Sequence, residues 1–115
     1  MAVYKAPLRD MKFVLNEVFR ADQLWASMPG TEETTPDLAD AILEEAAKTT
    51  EGLLFPLNRQ GDEQGCQWHD GEVTTPDGFK DAYKTFAENG WTSLTGNPEY
   101  GGQGMPKSLS VLFEE

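Results

Sequence analysis

The sequence has one cysteine, one histidine and few cations. A single thiol, Cys66, cannot close an internal disulfide, so nothing in the chain asks for an oxidising compartment. No apolar run approaches the ~18 residues of a membrane span. The first ten residues, MAVYKAPLRD, lack the apolar core of a signal peptide. These absences lead to the expectation of a cytoplasmic protein without a membrane association. The 9 Lys and Arg stand against 20 Asp and Glu, for a net charge of −11. Such a field opposes nucleic acid, whose affinity for proteins comes largely from cations meeting phosphates, and it opposes anionic lipid surfaces. There is no internal repeat of solenoid length. With 115 residues, one domain is expected.

Helical grammar is plentiful. In PLRDMKFVLNEVFR, the residues Met11, Val14, Leu15, Val18 and Phe19 recur at helical spacing behind the potential cap Asp10. This predicts a short helix over about 10–20. The following ADQLWASMPGTEETT breaks the pattern, and Pro29-Gly30 reads as a turn. That stretch is expected to be a loop, with Leu24, Trp25 and Met28 partly packed.

Thr35-Pro36-Asp37 is a strong helix start. The stripe Leu38, Ala41, Ile42, Ala46, Thr49 and Leu53 predicts a long helix over about 36–60, bent near Pro56. Alternatively it stops near Leu53 and a second short helix follows. Asp70-Gly71 between Trp68 and Val73 suits a two-residue hairpin turn, giving a small hairpin or irregular loop within 61–75. Thr75-Pro76 repeats the cap-and-proline start, with Phe79, Ala82, Tyr83, Phe86 and Ala87 as the buried stripe and Asn89-Gly90 as the stop. A last helix restarts at Pro106 with Leu109, Leu112 and Phe113 on one side. It shows one stripe and no stop signal, which reads as a truncated element and a fragment.

The chemistry-bearing residues do not converge. Cys66, His69 and Asp70 share one turn, but structural zinc needs four ligands, and a cysteine nucleophile needs a rigidly held base. The acid pairs Glu32-Glu33, Glu44-Glu45 and Asp62-Glu63 point apart wherever they lie on helices. The stripe Phe79, Tyr83 and Phe86 reads as core, not as a stacking platform. The glycine-rich stretch NPEYGGQGMPKS, Asn97 to Ser108, lacks the Gly-Lys-Ser/Thr ending of a phosphate loop, since Lys107 follows Pro106. It also lacks the buried strand that precedes a dinucleotide fingerprint. Gly101, Gly102 and Gly104 instead suggest close backbone approach. No catalytic, cofactor-binding or metal residue is assigned.

The chain as a whole resembles the acyl-CoA dehydrogenases. GWTSLTGNPEYGGQGMP is similar to that family's Gly-Trp … Pro-Glu-(Tyr/Phe)-Gly-Gly-x-Gly segment through Gly90, Trp91, Pro98, Glu99, Tyr100, Gly101, Gly102, Gly104 and Pro106. YKAPLRDMKFVLNEVF, LFPLNRQGDEQGC and VTTPDGFKDAYKTF resemble a long bacterial branch that includes 3-methylthiopropanoyl-CoA dehydrogenase-like enzymes. The resemblance implies an all-α fold of about four helices, the family's N-terminal domain. Residues 1–30 would be an extension with a short helix, and 31–115 the domain proper, truncated at its C-terminal end. It implies a parent flavoenzyme that removes two hydrogens across the α,β carbons of an acyl-CoA thioester. FAD would be the cofactor, electron-transfer flavoprotein the acceptor, and the parent a homo-oligomer. The family's catalytic glutamate and most FAD contacts belong to segments not in this chain, so Glu114 and Glu115 take no catalytic role and the fragment alone is expected to be inactive. Tyr100 to Met105 would lie near the wall of the acyl and flavin cavity. The competing expectation, from the acidic surface and the lack of a catalytic constellation, is a free-standing acidic helical interaction module.

Overall fold

A computed structural model describes residues 2–115. The chain is mostly helical, with one small hairpin, as the expected fold class requires. Helix α1 (Leu8–Phe13) runs directly into a π-helical turn (Val14–Val18). Only Met11 and Leu15 of its stripe are buried; Val18 and Phe19 face outward. Arg20 then adopts a left-handed conformation (φ 47°) that ends this helix and starts the next.

That next element, α2 (Ala21–Ser27), overturns the expected loop. It is under two turns long, too short to show a helical stripe. Its two buried residues, Ala21 and Trp25, stand four apart on one face. Trp25 is 1% exposed, and its indole N–H donates to Ser108 Oγ at 3.0 Å.

Helix α3 (Pro36–Thr49) begins where the sequence predicts, with Thr35 Oγ1 accepting from the Leu38 N–H. Its buried face is turned from the expected stripe: Ala39, Leu43, Ala46 and Ala47 go inside, while Leu38 is exposed and Ile42 is half-buried. Small residues on that face let α1 and α6 approach closely. A second π-helical turn (Thr50–Leu54) joins α3 to α4 (Phe55–Gln64). Pro56 therefore sits in the first turn of α4, where a missing N–H costs little. The irregularity precedes the proline, and the helical body runs on to Gln64.

Strands β1 (Gln67–His69) and β2 (Glu72–Thr74) pair antiparallel, with Trp68 opposite Val73. Asp70 (φ 49°) and Gly71 (φ 83°) are both left-handed, as the two-residue turn demands. Helix α5 (Phe79–Glu88) starts later than Thr75-Pro76 predicts. Gly78 lies in a left-handed conformation against Leu57, which ends the preceding turn and delays the helix. Tyr83 is exposed, so its stripe is only partly core. The stop at Asn89-Gly90 is as expected, with the Gly90 N–H bonded to the Ala87 carbonyl. Helix α6 (Lys107–Glu114) follows Pro106.

One cluster holds the chain together: Met11, Leu15, Ala21, Trp25, Ala39, Leu43 and Leu109. It joins α1, α2, α3 and α6, on both sides of residue 30. The whole is flat, with extents of 53 × 37 × 17 Å. Its radius of gyration of 16.8 Å exceeds the ~13 Å of a compact chain of this length. Its accessible surface of 8153 Å² exceeds by roughly 1,900 Å² the value for a compact monomer of this mass.

Candidate functional site

The passage from α5 to α6 is the most tightly bonded irregular segment. A 3-10 turn (Trp91–Ser93) and a second (Pro98–Tyr100) flank Gly96. Asn97 Oδ1 accepts from the Glu99 N–H at 2.9 Å, which fixes the second turn. The chain then folds back on itself: Gln103 N–H donates to Ser93 O, Gly104 N–H to Gly96 O, and Met105 N–H to Leu94 O, each at 2.9 Å. A Cβ on Gly102 would fall inside the Gly96 backbone, so glycine is required there. At Gly104 (φ 69°) a side chain would be strained and would meet the Pro98 ring.

This bonding decides the phosphate question. All five backbone N–H groups from Gly101 to Met105 are donated to backbone carbonyls. A phosphate cradle needs such groups free and convergent. Lys107 is also engaged, 2.7 Å from Glu114. The turn is a close passage between two helices.

It does build a surface. The Phe113 ring stacks on Trp91 and Phe86, with centroids 4.7 and 5.5 Å apart. Beside it opens an apolar groove of about 360 Å³, where Leu38 and Ile42 of α3 face Trp91, Leu94, Gln103 and Met105. Its one carboxylate, Glu45, is bonded to Lys48 at 2.7 Å. On the other side of that stack, the π turn, α4 and α5 form a second apolar groove of about 380 Å³, lined by Leu54, Leu57, Phe79, Ala82, Tyr83 and Phe86. Tyr100 stands exposed at the tip of the glycine turn, while Met105 lines the first groove.

Several titratable groups are engaged in pairing. Lys12 holds the Glu44 carboxyl below its ordinary value by a 2.8 Å hydrogen bond. The Ala6 N–H, and then Lys5, do the same for Glu51. Lys107 lowers Glu114 in the same way. Each shift favours the ionised form, whereas a general base at neutral pH needs its carboxyl raised. Glu44 and Glu45 reach different lysines, so the adjacent carboxylates diverge. His69 and Asp70 lie 3.2 Å apart at the exposed hairpin tip, and Cys66 is exposed before β1. Among the described residues, no three His, Cys, Asp or Glu side chains gather as metal ligands. The arrangement offers apolar walls. Sequence reading missed them because Leu38 and Tyr83, counted there as core, face outward.

The comparisons give the class: the chain is a homologue of the acyl-CoA dehydrogenases, matching one segment of them. More particularly, it is 36% identical to the 3-methylmercaptopropionyl-CoA dehydrogenase of Ruegeria pomeroyi over 112 residues, 97% of the chain and 19% of that enzyme. It is also 32% identical to the butyryl-CoA dehydrogenase of Syntrophomonas wolfei over 90 residues, 76% of the chain and 15% of that enzyme. The chain thus spans less than a fifth of the length of these curated relatives. No family model matches it. The family resemblance read from the motifs is borne out, and the free-standing module is not favoured.

Proposed function

We propose that this chain is the N-terminal helical domain of a flavin-dependent bacterial acyl-CoA dehydrogenase and is not catalytic on its own. Residues 1–30 are its extension and 31–115 the domain. The observation that carries this reading is 36% identity across 97% of the chain to an enzyme about five times longer. The parent dehydrogenates an acyl-CoA thioester at its α,β carbons in the cytoplasm, as a homo-oligomer, and passes electrons to electron-transfer flavoprotein.

The residues present do not fit an FAD site by themselves. The glycine turn has no free N–H groups, and of the cations on α1, Lys12 is already bonded to Glu44. The contribution of these 115 residues is shape. Two apolar grooves, lined largely by aliphatic and aromatic side chains, supply dry walls against which other segments pack and from which water is excluded. The surface excess above supports a piece built to be covered.

The test is made on the full-length product of the parent gene. It is expected to show flavin absorbance and acyl-CoA-dependent reduction of an electron acceptor, while the 115-residue chain shows neither and binds a hydrophobic dye. A full-length product that carries no flavin and reduces no acceptor with any acyl-CoA sinks the reading.

A further inference from the structure

We propose that residues 55–88, an arm made of α4, the hairpin and α5, swing as one body against the core, hinged at Gly52 and Gly90. The core cluster takes residues from α1, α2, α3 and α6 and none from the arm. Among the described residues, the hydrogen bonds and ion pairs of the arm stay within it or reach only the turns next to it. The aromatic contact that ties it to the core is one ring pair, Phe86 on Phe113, with centroids 5.5 Å apart. A single pair of this kind adds only modestly to the area it buries.

The arm itself is tied together. A Cβ on Gly61 would strike the Phe79 ring, and one on Gly78 would strike Leu57, so α4 packs without a gap against the start of α5. The Asp77 N–H donates to Gln64 Oε1 at 2.9 Å, and β1 pairs with β2. These links span α4, the hairpin and the approach to α5. The arm therefore moves whole and does not melt.

The chain enters the arm once and leaves it once, and a glycine stands at each crossing. Gly52 lies in the π-helical turn Thr50–Leu54, where a Cβ would meet nothing within 4 Å. A π turn interrupts the regular helical bonding, and hinges are a few residues at element ends that absorb the dihedral change. Gly90 (φ 84°) separates α5 from the Trp91–Ser93 turn. Trp91 stacks on Phe113 with centroids 4.7 Å apart and stays with the core, so the stack parts between Phe86 and Phe113. The swing has a cleft to act on. About 750 Å³ lies between Val3, Tyr4, Thr50 and Glu115 on the core side and Phe55 and Asn58 on the arm side. Turning the arm widens or narrows that cleft. The inference goes beyond the flavoenzyme reading and does not depend on it, and its test contains no flavin readout.

Spin labels on three cysteine pairs of the 115-residue chain test this by pulsed electron–electron distance measurement. Cys66, exposed in the arm, is paired with Ala26→Cys on exposed α2 to span arm and core. Cys66 with Lys80→Cys reports within the arm. Ala26→Cys with Val111→Cys, in a Cys66→Ser background, reports within the core. Two distance populations are expected for the arm–core pair and one narrow population for each of the others. Phe113→Ala should raise the ratio of swung to docked arm about tenfold, by removing the ring pair. Gly52→Ala adds a methyl in open space, leaves the fold intact and should lower that ratio about fourfold, since alanine favours helical dihedrals. A single arm–core population as narrow as the other two, a broad distribution within the arm, or an arm–core ratio that neither substitution moves each overturns the proposal.

Discussion

The region formed by α1, α2, α3 and α6 and the region formed by α4, the hairpin and α5 follow the same local rules but differ in what they bury. The first gathers Met11, Leu15, Trp25, Ala39, Leu43 and Leu109 into one core. In the second, the buried residues are Gly61, Pro76 and Ala82, and its large side chains Trp68, Val73, Phe79 and Tyr83 stay exposed. Helix formation is local chemistry, whereas burial needs a second layer. The second region has its own turns, caps and strand pairing, yet apart from Phe86 on Phe113 its large apolar side chains meet little within 17 Å of thickness.

Truncating the first region should cost most. Leu109 is fully buried where α6 crosses α3, so Leu109→Ala is expected to destabilise by about 2–5 kcal/mol. The loss is read as a lower urea midpoint at unchanged slope. Next comes the passage between the regions. Gly102→Ala drives a methyl into the Gly96 backbone and should cost about 1–3 kcal/mol, whereas Gly101→Ala meets open space and pays only for its positive φ. Equal losses at the two glycines would remove the close-passage account. At the start of α3, Thr35→Ala deletes the cap to the Leu38 N–H and should cost about 1 kcal/mol, with Thr35→Ser close to neutral.

Acid should act on the first region through its tethers. Glu51 has its pKa lowered by the Ala6 N–H and then by Lys5. Its contribution is complete above the ordinary value of 4.5 and is lost as pH falls through the lowered value. The urea midpoint is therefore expected to fall in that acid window, and Glu51→Gln to flatten the fall. The smallest effect is predicted for the second region. Trp68→Ala should leave monomer stability within about 0.5 kcal/mol, and a large loss there would mean the hairpin is packed after all.

Much of the fold was legible from the chain. Thr35-Pro36, Asp70-Gly71 and Asn89-Gly90 each mark a boundary because capping and left-handed turns depend on a few adjacent residues. Helix α2 was not legible. Its seven residues carry two inward positions, and only contact with Ser108, far along the chain, shows why Trp25 belongs inside. The orientation of α3 was hidden for a related reason: Leu38 and Ile42 outrank Ala39 and Ala46 in hydrophobicity, but close approach of α1 and α6 selects the small face. At the candidate site, the glycines of Gly101–Gly104 were visible, while the spent N–H groups that exclude phosphate were not.

The sequence by itself determined the helical class, the positions of the turns, the acidic surface and the family marker around Tyr100, because propensity, capping, net charge and motif order are properties of neighbouring residues. The tertiary structure alone decided which faces are covered. It turned α3 onto its alanines, left Tyr83 and Trp68 outside, and closed the glycine passage with its own hydrogen bonds. Burial is a relation between distant segments, and where the second layer is lacking, as beside α4 and α5, an apolar stripe becomes a surface.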